Sequence, residues 1–264
     1  FTADSFVSYS PLLGKNNVPR RPIVSIVGEL EPPKKGAPTL LTLAQVRSLF
    51  HAAGRAMQHL LTIQDVGLAV GTQGMELDFV EFVPKFLELW ASHPDTLRKI
   101  AKHWETGDPI PESLLEGLEK SQGLHRGAEL LERVAWAQLD LDLHSSQDPS
   151  PDAIADLARR RFTSQDLCPK VAEKGLASFA GPFCTGFGAG EYASLWSEVL
   201  AADVFETFSK AAPQELPELG RRFREAFLEP GAGRAPLTAF RDFQGRVPKV
   251  VPLLRRLKLQ GASR

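Results

Sequence analysis

Six prolines, Pro11, Pro19, Pro22, Pro32, Pro33 and Pro38, fall within the first 40 residues. They forbid a long helix there, because each lacks a backbone N–H and its ring collides with the preceding turn. Inside that stretch Ile23-Val24-Ser25-Ile26-Val27 is a β-branched run and predicts a short strand, while Pro32-Pro33-Lys34-Lys35-Gly36 predicts a loop. From Thr42 the pattern changes. Val46, Leu49, Phe50, Ala53, Met57, Leu60 and Leu61 recur at three- and four-residue steps, with Thr42 placed to cap a helix. A division follows, into an extended Pro-rich segment over 1–40 and a helical domain over 41–264.

Further helices are expected along the rest of the chain. Asp78 is placed to cap one that carries Val80, Phe82, Val83, Phe86, Leu87 and Trp90, with Pro84 in its first turns. Others start after Pro94 and Pro111, run over about 124–143 and 151–162, and follow at about 191–210, 219–228 and 236–244. The Gly-rich stretch 181–190 reads as a loop. The fold class is mainly α with one small β element near the N-terminus and no internal repeat.

Composition narrows the functional classes. The 31 Lys+Arg nearly balance 32 Asp+Glu, a formal net charge of -1, so the chain is not built to neutralise nucleic-acid phosphates. Lys249, Arg255, Arg256, Lys258 and Arg264 read as a solvated last helix. Two cysteines, Cys168 and Cys184, give no disulfide framework and suit a reducing or matrix-like compartment. No apolar run approaches the roughly 18–20 residues that span a bilayer. A start at Phe1 rather than Met fits a processed N-terminus, such as one left after a targeting segment is removed, or an incomplete one.

One segment bears on chemistry: Phe50-His51-Ala52-Ala53-Gly54-Arg55-Ala56-Met57-Gln58-His59-Leu60-Leu61. It resembles the active-site helix of the thimet oligopeptidase and oligopeptidase A family, peptidase family M3, which reads F-H-E-x-G-H-A-x-x-H-x-L there. Further segments resemble the same family in the same order. They are 78–81 with 88–90, 103–107, 139–144, 195–203 and 240–246. The resemblance covers roughly residues 20 to 257 and implies the helical C-terminal lobe of a zinc peptidase.

Two His at i and i+4 share a helix face and can both reach one zinc, while a Glu between them polarises the attacking water. This chain keeps the first His as His51 and the family's later ligand as Glu81. The Glu position holds Ala52 and the second His position holds Arg55, a cation with no lone pair to donate. His59 lies eight residues beyond His51, about 12 Å along a helix at 1.5 Å per residue, too far to share a metal. Arg55 is instead placed to pair with Glu81.

The family's downstream loop supplies a His and tyrosine hydroxyls. The resemblance maps these onto Gly181, Phe187, Glu191 and Ser194, with Tyr192 alone keeping a phenol. The expectations are therefore a chain that is not an enzyme, with no metal or other cofactor, and with His51, Arg55, Glu81, Gly181, Phe187, Glu191 and Tyr192 as remnants of a site. Its expected role is that of a structural or accessory subunit of a larger, mitochondrial assembly, with a plastid or the cytoplasm as the alternative addresses. Other protein subunits are its partners, it binds no nucleic acid and it does not span a membrane. A peptide-binding module using the old cleft is the alternative, and a zinc oligopeptidase with a rearranged site is a further one.

Overall fold

In the computed structural model, residues 1–7, 20–33, 36–64, 66–121, 125–145, 150–164 and 187–259 are described. The expected strand is present as β2 (Ile23–Val27), and it pairs antiparallel with β1 (Thr2–Val7) in register Thr2↔Val27 and Ala3↔Ile26. Sequence periodicity passes over β1 because Thr2-Ala3-Asp4-Ser5 carries little β-branched character; its partner defines it. The pair packs on α1 (Leu43–Leu60), where Ala3, Ala52 and Ala56 form a buried cluster edged by Phe1 and Val24. Alanines at 52 and 56, one turn apart, let the strand approach the helix closely. The start of α1 is a capping box: Gln45 donates its N–H to the Thr42 hydroxyl at 3.2 Å, and Thr42 donates its N–H to Gln45 Oε1 at 2.9 Å.

The helix expected from Asp78 to Trp90 is two helices, α2 (Leu77–Val80) and α3 (Phe82–Ala91), meeting at Glu81. Asp78 sits in the first turn of α2, and Glu76 holds the capping position. Pro84 accounts for the break. It has no N–H to offer the carbonyl four residues back, on Val80. Gln58, fully buried on α1, fills the gap by donating Nε2–H to that carbonyl at 3.0 Å. Gly54 completes the contact: a Cβ there would lie 2.7 Å from the Pro84 Cα, so only glycine lets the two helices come this close.

The chain divides into two compact units. The first comprises Phe1–Leu118 and Ser197–Leu253. Its core is aromatic. Phe82 meets Phe79 and Phe227 with ring centroids 4.9 Å apart in each case, and Phe86 stacks on Phe223 at 4.4 Å. Besides α4 (Pro94–Ile100) it contains α9 (Leu216–Phe223), which runs on into a π-helical turn over Arg224–Leu228. α10 (Pro236–Gln244) ends where the backbone turns left-handed at Gly245, φ 71°. Two of the sequence segments singled out above are joined here. The fully buried Asp203 accepts from both Arg246 terminal nitrogens, at 2.7 and 2.5 Å, and from the Lys249 N–H at 2.8 Å.

The second unit comprises Glu119–Trp196 and Leu254–Arg264. In it α6 (Arg126–Ser145) and α7 (Pro151–Ser164) bury Ala135, Leu139, Ala158 and Phe162, and Trp136 stands edge-on to Phe162 at 4.8 Å. Asp142 and Arg161 pair across the same two helices. Three helices, α5 (Glu112–Ser121), α8 (Tyr192–Lys210) and α11 (Val251–Arg256), have residues in both units. The architecture is mainly α with a two-stranded sheet. No helix among the described residues is long and apolar enough to cross a membrane. Cys168, Cys184 and Gly181 lie outside the described residues.

Candidate functional site

His51 and Arg55, one turn apart on α1, both face Glu81 at the α2–α3 junction. The Arg55 guanidinium donates to Glu81 Oε1, and His51 Nε2 lies 3.0 Å from Glu81 Oε2. The other ring nitrogen of His51 faces Glu88 Oε2 at 3.5 Å. The resemblance did not point to Glu88 as a site residue, though a signal existed: it lies seven residues after Glu81, two turns along the same face.

The electrostatics follow from these contacts. Hydrogen bonds to Glu81 and then Glu88 raise the His51 imidazole above its ordinary range, against the opposing effect of burial. For Glu81, burial pushes the carboxyl up, but the His51 hydrogen bond and the charges of Arg55, His51 and Lys85 outweigh it and hold it low. Glu88 is held low in the same way, by His51, Lys85 and Arg47 against burial. An imidazole with a carboxylate at each nitrogen is served best as the doubly protonated cation.

The resemblance raises the question of zinc. A zinc ion needs lone pairs from its ligands. Both Glu81 oxygens are engaged here, one by Arg55 and one by His51 Nε2, and a guanidinium has no lone pair to give. The residues present do not fit the metal. Ala52 is buried in the cluster with Ala3 and Ala56, where the hairpin covers it. His59, two turns beyond His51, packs its ring against Gly71, at which a Cβ would lie 2.3 Å from His59 Nδ1.

Phe187, Glu191 and Tyr192 belong to the second unit, and all three are exposed. Their loop is held from below by Asp140, which is fully buried and accepts the Ala189 and Glu191 N–H groups at 3.1 and 2.9 Å. The Ala189 backbone is left-handed, φ 58°, a conformation that costs a non-glycine residue about 1–2 kcal/mol. Burial, and the Asp140 charge after it, push the Glu191 carboxyl up, with Arg133 opposing. Gly188 lies against His144, where a Cβ would meet Nε2 at 2.4 Å.

Comparison with known proteins places this geometry. The profile of peptidase family M3 matches residues 6–259. Organellar oligopeptidase A, chloroplastic/mitochondrial, of Arabidopsis thaliana is 38% identical over 98% of the chain and 34% of its own length. A probable cytosolic oligopeptidase A of the same plant is 37% identical over 94% of the chain and 36% of its own length. Oligopeptidase A of Escherichia coli is 28% identical over 92% of the chain and 36% of its own length. The chain thus spans about a third of the length of the curated relatives it matches.

These relatives correct one expectation. The sequence reading held that the chain is not an enzyme, yet the proteins it matches over nearly its whole length are named as oligopeptidases, which are enzymes. That expectation rests on the replacements at Ala52 and Arg55 together with those at Gly181, Phe187 and Glu191. A family profile that covers almost every residue, and relatives this similar, leave one assignment: the chain belongs to peptidase family M3.

Proposed function

We propose that the chain is a peptidase-fold subunit of a larger protein assembly and meets its neighbour through an apolar face of α1 and α4. One observation carries this reading. A groove of about 720 Å³ lies between these helices, lined by Leu43, Val46 and Leu49 on α1 and by Leu97 and Ile100 on α4, with Ile110 and Pro111 at its edge. At its rim Leu40 is 63% and Ile100 48% exposed. Apolar area left in water forgoes about 25 cal/mol per Å², so a patch of this kind favours a covering partner. The near-neutral charge suits a protein partner better than a phosphate-bearing one. One relative is named as chloroplastic/mitochondrial and another as cytosolic, so an organelle or the cytoplasm suits the assembly, and the mitochondrion is the address proposed.

The test is chemical cross-linking with mass spectrometry on the full-length protein in its native extract, beside size-exclusion chromatography of wild type and of Ile100→Glu. The reading expects cross-links from α1 and α4 to other proteins, lost together with the high-mass fraction in Ile100→Glu. A wild type that runs as a monomer without such cross-links contradicts it.

A second reading rests on the relatives' names. On this reading the chain handles oligopeptides and forms part of a peptide-binding wall. Equilibrium binding of unstructured peptides of about ten residues to the full-length protein discriminates the two. Saturable binding weakened by Glu81→Gln favours this reading, and its absence removes it.

A further inference from the structure

We infer that Arg55 is a built-in counter-ion: its guanidinium, and not a metal ion, closes the His51–Glu81 cluster and ties α1 to the α2–α3 junction. Three observations converge on this. Arg55 stands one turn after His51, so both project from the same face of α1 toward Glu81. The two Glu81 oxygens are divided between them, Oε1 to Arg55 and Oε2 to His51. The helices that carry these groups are already in contact at Gly54 and Pro84, where no Cβ fits.

A cation shared between a histidine and a carboxylate normally joins their two elements, and removing it takes from a half-buried carboxylate part of the positive charge that compensates it. Arg55 supplies that positive charge covalently, and no chelator can remove it. The cluster therefore serves as a metal-independent cross-link between two helices. Lys85 lowers both the Glu81 and Glu88 carboxyls through space, and Arg47 lowers that of Glu88.

The test compares thermal unfolding of the whole chain with added zinc, with chelator and with neither, for wild type, Arg55→Gln and Arg55→His, and adds zinc titration calorimetry. The wild type is expected to unfold at the same temperature in all three conditions and to show no stoichiometric zinc heat. Arg55→Gln is expected to unfold at a lower temperature in all three. Arg55→His places two imidazoles and Glu81 on one face and is expected to gain a zinc-dependent upshift of about 5–10 °C at zinc 100-fold above its Kd. A wild type that holds one zinc per chain, or that loses stability to chelator, overturns the inference whether or not the variants fold. So does an Arg55→Gln that melts like wild type.

Discussion

Gly54 meets the Pro84 backbone with no room for a side chain: a Cβ on Gly54 would stand 2.7 Å from the Pro84 Cα and 2.9 Å from its nitrogen. This contact fixes how near α1 comes to α3, and with it the reach of His51 and Arg55 to Glu81. Gly54→Ala should force the helices apart and cost about 1–3 kcal/mol. Thermal unfolding should show a loss of several degrees, since about 1 kcal/mol moves a chain of this size by roughly 2–4 °C. An unchanged midpoint would mean the contact is not tight.

Gln58 answers for the break that Pro84 makes. Its Nε2–H is the partner of the Val80 carbonyl, and the side chain is fully buried. Gln58→Ala leaves that carbonyl without its donor and opens a cavity, at a cost of about 1–3 kcal/mol for the polar group alone. Urea unfolding should give a lower midpoint with an unchanged slope. A neutral result would show that water replaces the amide.

Ala52 lies at the position where the family carries its Glu, but here it is 1% exposed beneath β1. Ala52→Glu would bury a carboxyl among Ala3, Ala56, Phe1 and Val24. Burial disfavours the charged form, so the folded-state pKa rises above the usual value of about 4.3 and the penalty grows as pH increases through it. We expect a variant several kcal/mol less stable at pH 7 and less impaired at pH 4. A variant of wild-type stability at pH 7 would show that the hairpin lifts away readily.

The charge cluster sets a pH window. His51 is raised above 6.5, so its contribution to stability is whole below the unfolded value and is lost as pH rises through the folded one. Glu81 and Glu88 are lowered below 4.5, so theirs is whole above the unfolded value and is lost as pH falls through the folded ones. The cluster is at full strength between about pH 4.5 and 6.5. An NMR titration of the His51 ring should find its midpoint above 6.5 and back near it in a Glu81→Gln, Glu88→Gln variant. A wild-type midpoint at or below 6.5 would remove the imidazolium from the account.

The helices were legible because their apolar periodicity and caps are local. Thr42 with Gln45 is written in four residues, and the bounds of α10 at Pro236 and Gln244 match the periodic reading. The α2–α3 break was not, because it depends on Gln58, 22 residues before Val80, to satisfy the carbonyl that Pro84 leaves open. The strand Thr2–Val7 is likewise set by its partner. At the site, the spacing put His51 and Arg55 on one face and the family resemblance supplied Glu81 as the partner of Arg55, whereas Glu88 enters only when α3 is laid on α1. The covering of Ala52 by β1 has no trace in the motif itself.

Arg55 and Glu81 act as one unit, and a double-mutant cycle measures their coupling directly. Unfolding free energies of wild type, Arg55→Met, Glu81→Gln and the double variant, taken at pH 6, give the coupling between the two side chains. For a pair about two-thirds buried we predict a coupling of about 1–2 kcal/mol, above the typical exposed ion pair. A coupling within about 0.3 kcal/mol of zero, with both single variants near wild-type stability, would contradict the account.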